Sequence, residues 1–174
     1  MRRFTILLSG LLLLPVASLM AGEINDAQIA SIVVTANQID VDAGVLMASK
    51  TTSPEIRSFA ELMIKDHNAV NGAAIALAKK LKVTPEDNPT SRSLKAGGEK
   101  NLATLKALDG AALDKAYVDH EVVYHAQVID ALDTILIPGA TNGELRGLLV
   151  KVRPAFVAHL EHAKSLQASM GGTD

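Results

Sequence analysis

An all-α fold, arranged as a four-helix bundle, follows from three observations on this 174-residue chain. Apolar residues recur every three or four positions along four long stretches, and no stretch alternates as a strand would. Hydrophobic residues make up 48% of the chain but aromatic ones only 3%, with no Trp, so the core is built from Ala, Val, Leu and Ile. Small aliphatic side chains suit close-packed helices. Turn-forming Pro, Gly, Ser and Asn gather between the periodic stretches and leave mostly short connections. The length supports one domain with a substantial core, not two.

Residues 1–21 read as a secretory signal peptide that precedes a single bundle domain over 22–174. Arg2 and Arg3 supply a positive start, Ile6 to Leu19 is mostly apolar, and small residues follow at Ala17, Ser18, Ala21 and Gly22. Cleavage fits after Ala21 or after Ser18; an uncleaved N-terminal anchor is the competing reading. No later segment reads as apolar enough to span a bilayer, so no transmembrane span is expected in the mature chain.

The first bundle helix is expected over Asp26 to Lys50, with the inward stripe Ile29, Val33, Ala36, Asp40, Ala43 and Met47. Ser53 as N-cap and Pro54 at the first helical position start the second, which runs to Lys82. Its stripe is Ile56, Phe59, Met63, His67, Val70, Ala74, Leu77 and Leu81. Pro85, Pro89, Gly97, Gly98 and Gly110 then interrupt the pattern and leave room for one short helix near Glu99 to Leu108. The third bundle helix spans Ala112 to Ile137, with Val118, Val122, His125, Ile129, Leu132 and Leu136 inward and Glu121 one turn before His125. The fourth begins after Thr141-Asn142-Gly143 and ends near Met170. It turns Leu145, Leu148, Val152, Phe156, His159, Ala163 and Leu166 inward, with a kink or restart expected at Pro154.

Charge and cysteine usage exclude several functions. The formal net charge is −2 with no basic stripe, which argues against nucleic-acid binding. There is no Cys, so the protein is neither a disulfide scaffold nor a lipoprotein anchored through one. A Gly-x-Ser-x-Gly elbow and a phosphate-cradling glycine loop are also missing, and nothing pairs a Ser with a His. The periplasm is the expected destination.

Several motifs resemble a ferritin-like bacterial family catalogued as domain of unknown function 4142, whose members are often labelled predicted outer membrane proteins. They are Ala36-Asn37-Gln38-Ile39-Asp40-Val41-Asp42-Ala43-Gly44 with Ala48 and Lys50; Phe59-Ala60, Met63, Asp66-His67 and Asn71; Ala116-Tyr117 with His120 to His125; and Pro154 with His159-Leu160 and Ala163. The likeness covers about residues 25–168. It implies a ferritin-like bundle in an exported protein, with outer-membrane association and an envelope protein partner as further expectations, but no established activity. Where members commonly carry Glu in the first helix, this chain has Asp40 and Asp42, one methylene shorter.

The chemistry lies in polar residues on apolar stripes. All five His fall in helical stretches, and a bundle closing over them traps imidazoles and a carboxylate among aliphatic side chains. A di-iron carboxylate site needs Glu-x-x-His on two helices, and none of the five His has Glu or Asp three residues before it. A single transition ion fits better. Glu121 and His125 lie about 40° apart on one helix face, and His159 and His162 about 60° apart. With Asp40 and His67 opposite, the candidate ligands are Asp40, His67, Glu121, His125, His159 and His162, a nitrogen and oxygen set suited to zinc, copper(II), nickel or non-haem iron.

A different reading makes His67, His125 and His159 a hydrogen-bonded core layer in a structural or interaction protein, paired with Asp40, Glu121, Asn71 or Tyr124. A metal-dependent oxidase is a third, and the sequence leaves catalysis open. His120 lies about 140° round the helix from His125 and belongs to the rim near Tyr124. Asp66 reads as surface charge or a cap, and Gly44 and Gly72 as sites of close helix contact.

Overall fold

The computed structural model describes residues 24–171, so the expected leader over residues 1–21 lies outside the described residues. Five helices follow in order: α1 (Asp26–Lys50), α2 (Pro54–Leu81), α3 (Pro89–Ala107), α4 (Gly110–Ala131) and α5 (Gly143–Gly171). Beyond Ala131 the chain continues through a π-helical stretch (Leu132–Leu136) into a last turn (Ile137–Gly139). No strand occurs among the described residues.

The helix ends are set by local chemistry. Asn25 caps α1 in a capping box with Gln28, and Ser53 caps α2 with Pro54 at its first position. The Asp26 carboxylate reaches across to accept from the Thr141 N–H (2.8 Å), the Thr141 hydroxyl (2.6 Å) and the Asn142 N–H (3.0 Å). That pins the start of α1 to the turn before α5. Asn142 then accepts from the N–H groups of Glu144 and Leu145 and so starts α5.

Helices α1, α2, α4 and α5 form the four-helix bundle, and α3 lies across α1 and touches α4. At 19 residues α3 is longer than the short segment expected. Asn88 and Ser91 build a capping box and Pro89 sits at the first helical position, so Pro89 starts a helix instead of interrupting one. Gly98 lies inside α3 because a Cβ there would stand 2.6 Å from Ile39 of α1. The Lys50 ammonium closes the other end, donating to the Lys106 carbonyl (2.8 Å) and the Leu108 carbonyl and pairing with Asp109 (3.1 Å).

Covered by α2 on one side and α3 on another, α1 is buried on most of its circumference. By length and composition it meets the requirement for a membrane span, contrary to the expectation that no segment after the leader would. About 67% of its apolar window is buried inside the bundle, as for a core helix. Gly44 permits the α1–α2 contact, since a Cβ would meet the Ala60 carbonyl oxygen at 2.9 Å, whereas nothing lies within 4 Å of a Cβ at Gly72. Gly72 therefore serves no close contact. Helix α5 runs through Pro154 without a restart.

The inward stripes land as the periodicity requires, and they divide the core in two. One half gathers Ala43, Met47, Phe59, Met63, Tyr117, Val118 and Ala163; the other gathers Ile29, Val33, Ala74, Leu132, Leu149 and Phe156. Between them in chain position on α1, α2, α4 and α5 fall Asp40, His67, Glu121 with His125, and His159. These five buried polar residues thus occupy one level in the middle of the bundle, whereas Thr51, Asn88, Ser91 and Asp114 are buried near helix ends.

Candidate metal centre

His67 and His125 are 1% and 0% exposed, and His159 is 4% exposed. Their rings pack against one another with centroids 5.3–5.5 Å apart, and Phe156 covers them on one side at 5.2 Å from His67. One ring nitrogen of each lies within 4.8 Å of one from each of the others. The bundle therefore brings three imidazoles from three helices to one point.

The hydrogen bonds around this point assign the tautomers. The Asn37 side-chain amide donates to the Val33 carbonyl at 2.7 Å, which leaves its oxygen to accept from His67 Nδ1 at 2.7 Å. His125 Nδ1 donates to the Glu121 carbonyl at 3.1 Å, and His159 Nε2 donates to Asp66 Oδ2 at 3.0 Å. All three outer partners are acceptors, so the outer nitrogens carry the protons. The remaining nitrogens, His67 Nε2, His125 Nε2 and His159 Nδ1, have no hydrogen-bond partner among the described residues. Each is left with a bare lone pair. Donation of the far N–H to a carboxylate or carbonyl is also the arrangement that orients metal-bound imidazoles and raises their basicity.

A second group adjoins the first. Asp40 Oδ2 lies 3.4 Å from His67 Nδ1, and Glu121 Oε2 lies 3.3 Å from His125 Nδ1. One atom each of Asp40, Glu121 and His125 fall within 4.8 Å of one another. Asp40 Oδ1, both Glu121 carboxylate oxygens and the Tyr117 hydroxyl lack a hydrogen-bond partner.

Burial governs protonation here. Desolvation, reinforced by His125 and His159, pushes the His67 imidazole down to about 2, so it stays neutral. Desolvation also lowers His159, against the opposing effect of the hydrogen bond it donates to Asp66. The Asp40 carboxyl is raised well above its usual range by burial and by the neighbouring Glu121 charge. Tyr117 is raised by burial and by the charges of Glu121 and Asp40, which keeps its hydroxyl protonated.

Of the six candidate ligands, five meet at this level and His162 does not. His162 is exposed, its ring lying edge-on to Phe59 with centroids 4.9 Å apart. The 60° rotation from His159 carries it past the edge of the bundle interior. His120 stacks on Tyr124 at 5.4 Å on the rim, as its position on the helix requires. Asn37 and Asp66, which accept from His67 and His159, are the neighbours of the cluster that sequence reasoning passed over. Asn37 lies three residues before Asp40 on the same face, while Asp66 looked like surface charge because it is only partly covered, with its side chain 34% exposed.

A surface cleft of about 270 Å³ reaches the cluster, with His67, His159 and Asp66 in its lining beside Lys151 and Phe156. A second, mainly apolar cavity of about 230 Å³ also has Phe156 in its lining, and is walled partly by Leu132, Ile135 and Leu136 of the π-helical stretch.

Among solved structures, the crystal structure of the "putative secreted protein DUF305" from Streptomyces coelicolor is similar, with a TM-score of 0.69 at 16% identity. The match covers 84% of this chain and 93% of that one, a likeness of fold. No curated protein matches this chain. The family model for the domain of unknown function DUF4142 matches residues 14–166. An all-helical bundle carrying this motif series over nearly its whole length places the chain in that family: it belongs to DUF4142.

Proposed function

We propose that this is an exported metal-binding module in which His67, His125 and His159 hold one transition ion. The observation that carries the reading is the set of three bare lone pairs. Each imidazole gives its proton to an acceptor outside the cluster, and the nitrogens left over belong to rings in mutual contact at the bundle centre. Three acceptors without a donor among them repel and lose hydration, and a cation removes both penalties. Neutral imidazole nitrogens suit zinc, copper(II) or iron, and the cleft beside His67 and His159 offers an entry route. Export rests on the leader-like start of the sequence and on the likeness to a protein described as secreted.

The competing role, a polar layer that fixes helix register, draws on the edge-to-face packing of the rings. It requires partners for the inner nitrogens, and no side chain or backbone group among the described residues supplies one.

Elemental analysis and calorimetric titration with zinc, copper(II) and iron(II) test the proposal. The purified protein is expected to take up one ion at the histidines, and His125→Ala with His159→Ala to abolish that uptake while the helical circular dichroism persists. Asp66→Asn, which keeps the shape but weakens the acceptor behind His159, is expected to reduce affinity by about 10- to 100-fold. Failure of the wild type to bind any of the three ions, or binding indifferent to the double substitution, overturns it.

A further inference from the structure

We infer that Asp40, Glu121 and Tyr117 form a second cation pocket beside the three histidines, oxygen-rich and suited to a hard divalent ion such as manganese(II). Asp40 is 1% exposed, and Glu121 and Tyr117 are fully buried. Four oxygens of these side chains, Asp40 Oδ1, Glu121 Oε1 and Oε2, and the Tyr117 hydroxyl, have no hydrogen-bond partner among the described residues. Tyr117 stands one helical turn before Glu121 on the same face of α4, and burial together with the charges of Glu121 and Asp40 raises its hydroxyl.

Two buried carboxylates this close need either a shared proton or a compensating positive charge. Among the described residues no Lys or Arg forms an ion pair with either one. Their ionic neighbours are His67 for Asp40 and His125 for Glu121, and the ring N–H of each is already given to Asn37 Oδ1 or to the Glu121 carbonyl. A hydrogen-bonded buried acid would normally find a donor, and the one hydroxyl at hand is unpaired. Carboxylate and phenol oxygens favour manganese(II) or magnesium over the softer ions that imidazole nitrogens select. The oxygens of the pocket come from residues outside the histidine site, and His125 is the one side chain that falls in both groups. His125 stands between the two.

Manganese(II) titration followed by electron paramagnetic resonance, on protein stripped with chelator and desalted, tests the inference. One manganese ion per chain is expected in the wild type and in His159→Ala, with binding lost in Asp40→Asn with Glu121→Gln. Tyr117→Phe keeps both carboxylates and the packing, and is expected to weaken manganese binding about tenfold. No manganese binding to the wild type, or binding unchanged in the Asn/Gln pair, overturns the pocket and leaves the carboxylates sharing a proton. If the Asn/Gln pair fails to fold, unchanged affinity in Tyr117→Phe overturns it instead. Uptake of zinc, copper(II) or iron(II) reads the histidine site separately: uptake of one of these without manganese sinks this inference alone, and manganese with none of the three sinks the histidine reading alone.

Discussion

The metal-free protein is expected to lose stability steadily as pH falls below about 6.5, by about 2 kcal/mol at pH 5 from His67 alone. In the folded chain His67 titrates at about 2, against an ordinary 6.5 when unfolded. Between those values the unfolded chain binds the extra proton. Stability is therefore fully present above pH 6.5 and declines toward pH 2. His159 and His120 are also lowered by burial and act in the same direction. Asp40 opposes them, because its raised value lets the folded chain take up a proton before the unfolded chain does. Asp40→Asn removes that offset and is expected to steepen the acid loss. Melting temperatures between pH 7.5 and 5 in the presence of chelator check this, and a flat profile contradicts neutral burial of the imidazoles. An ion on the same lone pairs competes with protons and is expected to shift the decline to lower pH.

Phe156→Ala is expected to cost about 3–5 kcal/mol, the usual range for deleting a buried aromatic ring. Phe156 is buried and packs against His67, His125 and His159 at centroid distances of 5.2, 6.1 and 6.2 Å. It also lines both the surface cleft and the apolar cavity of about 230 Å³. Removing the ring joins those spaces at the histidines and rehydrates them. The variant is therefore expected to show a shallower pH dependence along with its lower stability. Phe156→Leu keeps an apolar wall and is expected to lose less of both. Urea unfolding at pH 7.5 and pH 5.5 separates the two effects. A loss under 1 kcal/mol, or an unchanged pH slope, counts against Phe156 as the wall that keeps the cluster dry.

Much of this architecture was legible in one dimension because helical periodicity is a local property. Asp40, His67, His125 and His159 were assigned to inward faces from spacing of three and four residues, and all four are buried. The same logic failed for His162, because a 60° offset can face the interior or leave it depending on how α5 is rotated against its neighbours. It failed for α3 because Pro89 and Gly98 look like breakers in sequence. Only contact with Ile39 shows why Gly98 belongs inside a helix. The π-helical stretch at Leu132–Leu136 carried no signal in the apolar pattern, since Leu132 and Leu136 keep a four-residue spacing through it.

The amino-acid sequence by itself determined the four amphipathic helices, the start of α2 with Ser53 as cap and Pro54 at its first position, and the set of polar side chains committed to the core. Periodicity and capping act over one or two turns, so no tertiary information was needed. Only the packed bundle decided that those side chains share one level, that Asn37, Asp66 and the Glu121 carbonyl hold the outer nitrogens, and that the inner ones are left without a donor. Axial register and rotation between helices are set by how whole surfaces interlock, as where Gly44 meets the Ala60 carbonyl and Gly98 meets Ile39. No window along a single helix contains that information.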